Sequence, residues 1–285
     1  MALADSSSLQ GWLALELSRG CSPGSLVKAM LDSGWSLDDA TAALLLAAAR
    51  AEDVAAMSAS PTPRAGGAHG PDLSGAEGNV VRAGDRDVRV LLTLHQPRVV
   101  VVADLLSGDE CEALITQAEG RLKRSQTVSS QEASTAEVNV ARTSEGMFFE
   151  PAETELVARL EARIAALVQW PVDHAEGLQL LRYGPGAEYR PHFDHFDAAT
   201  PGGHVALQRG GQRVGTVVVY LRAPAEGGAT VFPDVGLSVR PQAGHAVFFA
   251  YPQAHGKHGV LHGGAPVTAG EKWIATRWLR QKKFV

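Results

Sequence analysis

His192, Asp194, His262 and Lys272 are the residues whose types and spacing point most directly to chemistry. One residue separates His192 from Asp194, so an extended backbone turns both side chains to one face. His262 follows Asp194 by 68 positions (262 − 194) and must arrive from another strand. Two imidazole nitrogens and one carboxylate suit Fe(II) and leave its opposite face open. Lys272, ten positions beyond His262 (272 − 262), places a cation where it can hold the far carboxylate of 2-oxoglutarate. Three ligands and a co-substrate anchor predict an oxygenase. A structural metal site in a non-catalytic binding module has no need of the lysine.

Other histidines compete for the ligand positions. In a strand His195 faces away from Asp194, which makes it a flanking or exposed residue. His255 and His258 lie in Gln-Ala-His-Gly-Lys-His-Gly, which reads as a loop. With His258 as distal ligand the lysine would follow fourteen positions later (272 − 258), a poorer fit. These two are expected to be solvated or to line the cleft.

Elements must hold the four residues together. From Gly177 onward the chain reads as short strands at 178–183, 214–221, 230–231, 237–239, 246–250 and 273–278, separated by Gly-Gly, Pro-Asp and Pro-Gln turns. Short strands at regular spacing suggest a jelly roll rather than a parallel α/β sheet. Ahead of them lie strands at 89–93 and 99–102 and two helices. The first helix runs over 107–118 with Ser107 as cap and acids in its first turn; the second runs over 153–167. The expected fold is therefore α+β, a double-stranded β-helix (about 174–281) with flanking helices, in a domain over 85–285. Residues 57–84, rich in Ser, Pro, Gly and Ala, read as a flexible linker. Residues 1–56 read as a small three-helix unit, with Trp12, Leu13, Leu26, Met30, Trp35 and Leu44 as core candidates. Through Met30-Leu31-Asp32-Ser33-Gly34-Trp35 that unit resembles ubiquitin-associated modules, which would offer a surface to a protein partner. A packing appendage is the other reading.

Composition sets outer bounds. Hydrophobic residues at 45% and charged residues at 20% suit a globular chain with a sizeable core. The net charge of −5 gives no reason to expect nucleic acid or an anionic membrane as partner. Cys21 and Cys111 carry no metal spacing and no disulfide scaffold. Neither a secretory leader nor a bilayer-length apolar run is seen, so a cytoplasmic location is expected.

The blocks 105–111, 142–144, 176–183, 188–194 and 227–233, closing with His262-Gly263-Gly264-Ala265-Pro266-Val267 and Gly270-Glu271-Lys272-Trp273, make residues 95–281 resemble the prolyl 4-hydroxylase branch of the Fe(II)/2-oxoglutarate dioxygenases. The resemblance implies iron held by His192, Asp194 and His262. It implies 2-oxoglutarate held by Lys272 with help from Tyr183 and Thr216, and L-ascorbate as reductant. The implied reaction is 4-hydroxylation of prolyl residues in a peptide or protein, with release of succinate and CO2. A free amino acid or small metabolite is the alternative substrate. A peptide groove is implied at Arg142, Ser144, Glu176, Tyr189, Arg213 and Trp278, with the loops 124–139 and 197–212 as lids. Arg280 stands where family members often carry a histidine, which leaves fine substrate preference open.

Overall fold

The computed structural model describes residue 13 and residues 22–37, 39–44, 71–73, 79–125, 127–128, 136–137, 143–251 and 260–284. Two compact units divide the chain, Met1–Gly67 and Ala68–Val285. In the first, helix α1 (Pro23–Asp32) is capped by Ser22, whose side chain accepts from the Ser25 N–H, and carries proline in its first turn. Leu26 and Met30 on this helix bury against Leu13, Ala40 and Ala43. Trp35, expected in this core, is instead 40% exposed. Trp12, Cys21 and most of the other two expected helices lie outside the described residues.

The second unit begins with β1 (Val80–Ala83), β2 (Arg86–Leu94), β3 (Val99–Ala103) and helix α2 (Gly108–Ala118). Four short strands follow, β4 (Lys123–Arg124), β5 (Thr127–Val128), β6 (Ala136–Glu137) and β7 (Glu145–Phe148), then helix α3 (Glu155–Leu167). Next come β8 (Gln179–Tyr183), β9 (Tyr189–His192), helix α4 (Pro201–Gln208), β10 (Arg213–Arg222), β11 (Glu226–Gly227) and β12 (Thr230–Phe232). The chain closes with β13 (Leu237–Val239), β14 (Ala246–Ala250), β15 (His262–Gly264), β16 (Val267–Ala269) and β17 (Lys272–Arg280).

Nine strands form one antiparallel sheet in the order β1-β2-β3-β14-β10-β17-β8-β7-β4, and β13-β12-β15-β9 form a second. Strand alternation sorts the large sheet into two faces. Val217, Val219, Phe248, Trp273 and Ala275 point to the helices, where they meet Leu114 of α2 and Leu160 and Ile164 of α3. Val218, Tyr220, Val247, Phe249 and Ile274 point the other way, towards Phe232 and Val239 of the small sheet. The result is a mixed helix and sheet fold whose large antiparallel sheet is covered on both sides. Its helices start where the sequence places their caps: Ser107 and Glu110 form a capping box on α2, and Thr154 caps α3.

Two expectations are corrected. The stretch 197–212 is not a glycine-rich loop, because Pro201–Gln208 is helical, with Thr200 as N-cap and proline in the first turn. That pair of start signals outweighs the low helix propensity of Gly202 and Gly203. The expected linker also ends early. Leu73 belongs to the main core and the Asp72 N–H donates to the Val168 carbonyl, so 71–73 and β1 are part of the second unit. Of the expected loop 124–139, the described residues include the paired strands β5 and β6.

Candidate metal centre and co-substrate cavity

Pairing of β9 with β15 sets His192 directly across from His262. Directly opposed residues are near neighbours, and the two imidazole centroids stand 4.4 Å apart. Gly263 makes the approach possible, since a Cβ there would sit 2.8 Å from the Tyr189 carbonyl oxygen. Asp194 lies two residues past the end of β9 and still turns inward. The ligand atoms of His192, Asp194 and His262 all fall within 4.8 Å of one another.

Both histidines are held in one tautomer. His192 Nδ1 is 2.9 Å from the Arg190 carbonyl and His262 Nδ1 is 2.9 Å from the Val260 carbonyl. Each Nδ1–H donates, so each Nε2 is the nitrogen that faces Asp194, at 3.4 Å in both cases. Asp194 is 7% exposed. Burial works against its charge but is outweighed, chiefly by His262 and then His192, and the carboxyl stays well below the ordinary range. Two imidazole Nε2 atoms and an ionised carboxylate form a donor set that fits a divalent cation such as Fe(II), whose binding requires the imidazoles in their neutral form.

These residues line a cavity of roughly 440 Å³ that is open to solvent. Lys272, the first residue of β17, projects into it and is 3% exposed. Among the described residues no carboxylate pairs with its ammonium. The rings of Tyr183 and Tyr220 stand beside it, their centroids 5.4 and 5.9 Å from Nζ. Burial alone pushes the amine down to about 8. A buried cation without a counter-ion is costly, and an anionic ligand in this cavity would remove the cost. Gly228 keeps the place clear, because a Cβ there would lie 3.2 Å from the lysine Cδ, at a φ of +68°.

Tyr183 sits opposite Lys272 in register and lines the same cavity. Thr216, which the resemblance assigns to 2-oxoglutarate, lines the same cavity, and its hydroxyl donates to Asp194 Oδ2 at 2.8 Å and contacts the Tyr251 hydroxyl. Thr230, which the sequence reading did not single out, also lines the cavity, and its Oγ1 accepts from the Tyr220 hydroxyl at 2.8 Å.

The expected peptide groove separates into two groups. Tyr189 and Trp278 line the cavity, and Tyr189 stacks on His192 with centroids 3.6 Å apart. Ser144, Glu176 and Arg213 do not face it. The Ser144 hydroxyl donates to Ser125. Glu176 accepts two bonds from Arg213, at 2.6 and 2.8 Å, and one from Arg280 at 2.7 Å. Burial opposes ionisation of Glu176, but the two guanidiniums outweigh it. Arg213 packs on the Trp278 ring at 4.1 Å, and the Trp278 indole donates to Asp194 Oδ2 at 2.9 Å. Arg280 in turn donates to the carbonyls of Ala206 and Arg209 at the end of α4. Glu176, Arg213 and Arg280 thus form an internal brace behind the carboxylate, one Glu176 carboxylate bridging two guanidiniums. Arg142, His255 and His258 lie outside the described residues. His195 is half-buried against Phe193.

Comparison with known proteins agrees with this geometry. The family model of the 2OG-Fe(II) oxygenase superfamily matches residues 178–280. Prolyl 4-hydroxylase 1 of Arabidopsis thaliana is 37% identical over 245 residues, covering 74% of this chain and 84% of that protein. Probable prolyl 4-hydroxylase 6 of the same plant is 36% identical over 208 residues, covering 66% and 70%. Among solved structures, a viral collagen prolyl hydroxylase from Paramecium Bursaria Chlorella virus-1, in its 2OG complex, matches with a TM-score of 0.50 and 29% identity. That match covers 64% of this chain and 95% of the viral one.

Proposed function

The chain belongs to the prolyl 4-hydroxylase family within the 2OG-Fe(II) oxygenase superfamily, and on that premise we propose that it hydroxylates prolyl residues of a peptide or protein at the 4-position. The enzyme is a 2-oxoglutarate-dependent dioxygenase. The observation that carries the reading is the buried Lys272 ammonium, without a counter-ion among the described residues, in the same cavity as His192, Asp194 and His262.

When bound, Fe(II) supplies O2 activation coupled to oxidative decarboxylation of 2-oxoglutarate: one oxygen atom enters the prolyl C–H bond as hydroxyl, the other enters succinate, and CO2 leaves. The chain supplies binding, orientation and shelter. His192 and His262 would bind through Nε2, and Asp194 through its carboxylate. Lys272 receives the far carboxylate of the co-substrate, with Tyr183 and Thr230 shaping the space beside it. Tyr189 and Trp278, at the cavity wall, are the candidates for contact with a prolyl ring. Ascorbate, as the reductant of oxidised iron, rests on the family likeness. The jelly-roll description of the two sheets and the small helical unit at the N-terminus are part of the same proposal. So is a cytoplasmic location, which rests on cysteine usage: Cys111 is a buried free thiol. No helix among the described residues is long and apolar enough to cross a membrane.

Substrate class is tested by offering a proline-rich peptide and free proline separately. The expected result is peptide-dependent succinate formation and a peptide product heavier by one oxygen. Equal or greater stimulation by free proline would move the activity to small metabolites.

Affinity for 2-oxoglutarate should also depend on pH through Lys272. The protonated amine binds the carboxylate and the neutral amine does not. Affinity is therefore expected to be level below pH 8 and to fall about tenfold per unit above it, since the amine titrates at about 8. Calorimetric titration between pH 7 and 9.5 measures this. In Lys272→Arg the alkaline loss should vanish, because guanidinium stays charged. A wild-type affinity that holds steady to pH 9.5 would remove Lys272 from the binding step.

A further inference from the structure

Tyr251 has no part in the chemistry described above, yet its hydroxyl reaches the centre of the site. It follows the last residue of β14, and strand alternation through Val247 and Phe249 turns it to the cavity side of the sheet. The side chain is buried, and its hydroxyl lies 2.9 Å from Asp194 Oδ2 and also touches Thr216 Oγ1. Thr216 and the Trp278 indole reach the same oxygen, at 2.8 and 2.9 Å. Two hydroxyl protons serve three oxygens here. Whichever way they turn, at least one of them, together with the indole N–H, ends on Oδ2.

The two oxygens of Asp194 therefore differ. Among the described residues the near neighbours of Oδ1 are His192 Nε2 at 3.4 Å and Arg213 Nη1 at 3.9 Å. His262 Nε2 stands 3.4 Å from Oδ2, so distance to the imidazoles does not choose between the oxygens. Hydrogen bonding does, since a carboxylate oxygen offers about two lone-pair sites, and those of Oδ2 are occupied.

We propose that Tyr251 is a positioning residue: with Thr216 and Trp278 it saturates Asp194 Oδ2 and turns the carboxylate so that Oδ1 alone is available to a metal. This rests on the reading of His192, Asp194 and His262 as the metal-binding set. A carboxylate held by one oxygen occupies one position of the metal instead of two. That preserves room for a chelating co-substrate and O2.

The test compares wild type, Tyr251→Phe, Thr216→Val, Thr216→Val/Tyr251→Phe and His262→Ala under anaerobic conditions without 2-oxoglutarate. Fe(II) affinity is read by equilibrium dialysis, and the visible spectrum is recorded after loading with Co(II). In Tyr251→Phe the Thr216 hydroxyl and the indole still occupy Oδ2, so the effect is expected in Thr216→Val/Tyr251→Phe. That double variant should weaken Fe(II) binding about tenfold, the low end of what loss of a ligand's hydrogen-bond partner costs, and shift the Co(II) bands, each by more than Thr216→Val alone. Loss of packing alone would lower thermal stability but leave the spectrum of the loaded protein in place. Should the phenylalanine variant not fold, Tyr251→Met removes the same hydroxyl and is read in the same way. A double variant with the affinity and spectrum of Thr216→Val, with His262→Ala having lost the metal, would overturn the role of Tyr251 and leave the metal-binding set intact. Retention of wild-type affinity by His262→Ala would instead overturn the metal-binding set, and this inference with it.

Discussion

Replacing His262 by alanine is expected to abolish 2-oxoglutarate turnover and to weaken Fe(II) binding by at least about a hundredfold. Even an outer partner of a metal ligand costs 10–100-fold when removed, and His262 is proposed as a ligand. Only His192 and Asp194 would be left, on one edge of the site, and the remaining cross-strand imidazole would lose its neighbour 4.4 Å away. The position is interior, at 6% exposed, so the variant also leaves a small void beside Phe249. Circular dichroism and thermal unfolding separate the two consequences. A folded His262→Ala protein that binds no iron and makes no succinate is the expected outcome. One that turns over 2-oxoglutarate at the wild-type rate would require another ligand.

Lys272→Ala should produce the second large effect, a loss of 2-oxoglutarate affinity of about a hundred- to several-thousandfold. Leaving a buried charge without its partner costs about 3–5 kcal/mol, and each 1.4 kcal/mol is about a factor of ten. Here the unpaired charge would be the carboxylate of the co-substrate. The same change should leave Fe(II) affinity near its wild-type value. It should also leave the ligand-free protein at least as stable as wild type, because the buried ammonium has no counter-ion among the described residues. Burial that lowers the amine to about 8 is a folding cost that alanine does not carry. Calorimetry of 2-oxoglutarate binding together with the melting temperature of the unliganded variant decides the matter. A variant that is much less stable, with affinity unchanged, would make Lys272 a structural residue.

How far the sequence can be read depended on what each residue had to do. His192, Asp194, His262 and Lys272 were legible as a set because metal and carboxylate chemistry demands particular side chains. Strand periodicity then explained how four residues from three segments could meet. The strands at 237–239 and 246–250 and the cap at Ser107 followed from local rules alone. Glu176, Arg213 and Ser144 were less transparent. The family resemblance assigned them to a groove, whereas the fold turns them inward. That is possible because Glu176 is bonded by both Arg213 and Arg280, and no single position in the sequence announces such a bridge. Thr230, which lines the cavity together with Thr216, went unnoticed for a related reason. Both hydroxyls are buried, and only the neighbours on adjacent strands decide which one serves Asp194. Tyr251 was missed because it stands one residue beyond the strand expected at 246–250, although the alternation that directs Val247 and Phe249 extends to it. Helix α4 was hidden by its glycines, while Thr200-Pro201 carried the signal that opened it.

The central claim is that His192, Asp194, His262 and Lys272 form one site that couples 2-oxoglutarate decarboxylation to prolyl hydroxylation. It is tested most directly by the ratio of succinate to hydroxyproline formed by the iron-loaded protein acting on a proline-rich peptide, with ascorbate and O2 present. One hydroxyproline per succinate is predicted, with neither product formed when 2-oxoglutarate is withheld. Succinate that accumulates without any hydroxyproline, or an iron-bound protein that forms neither product, would contradict the account.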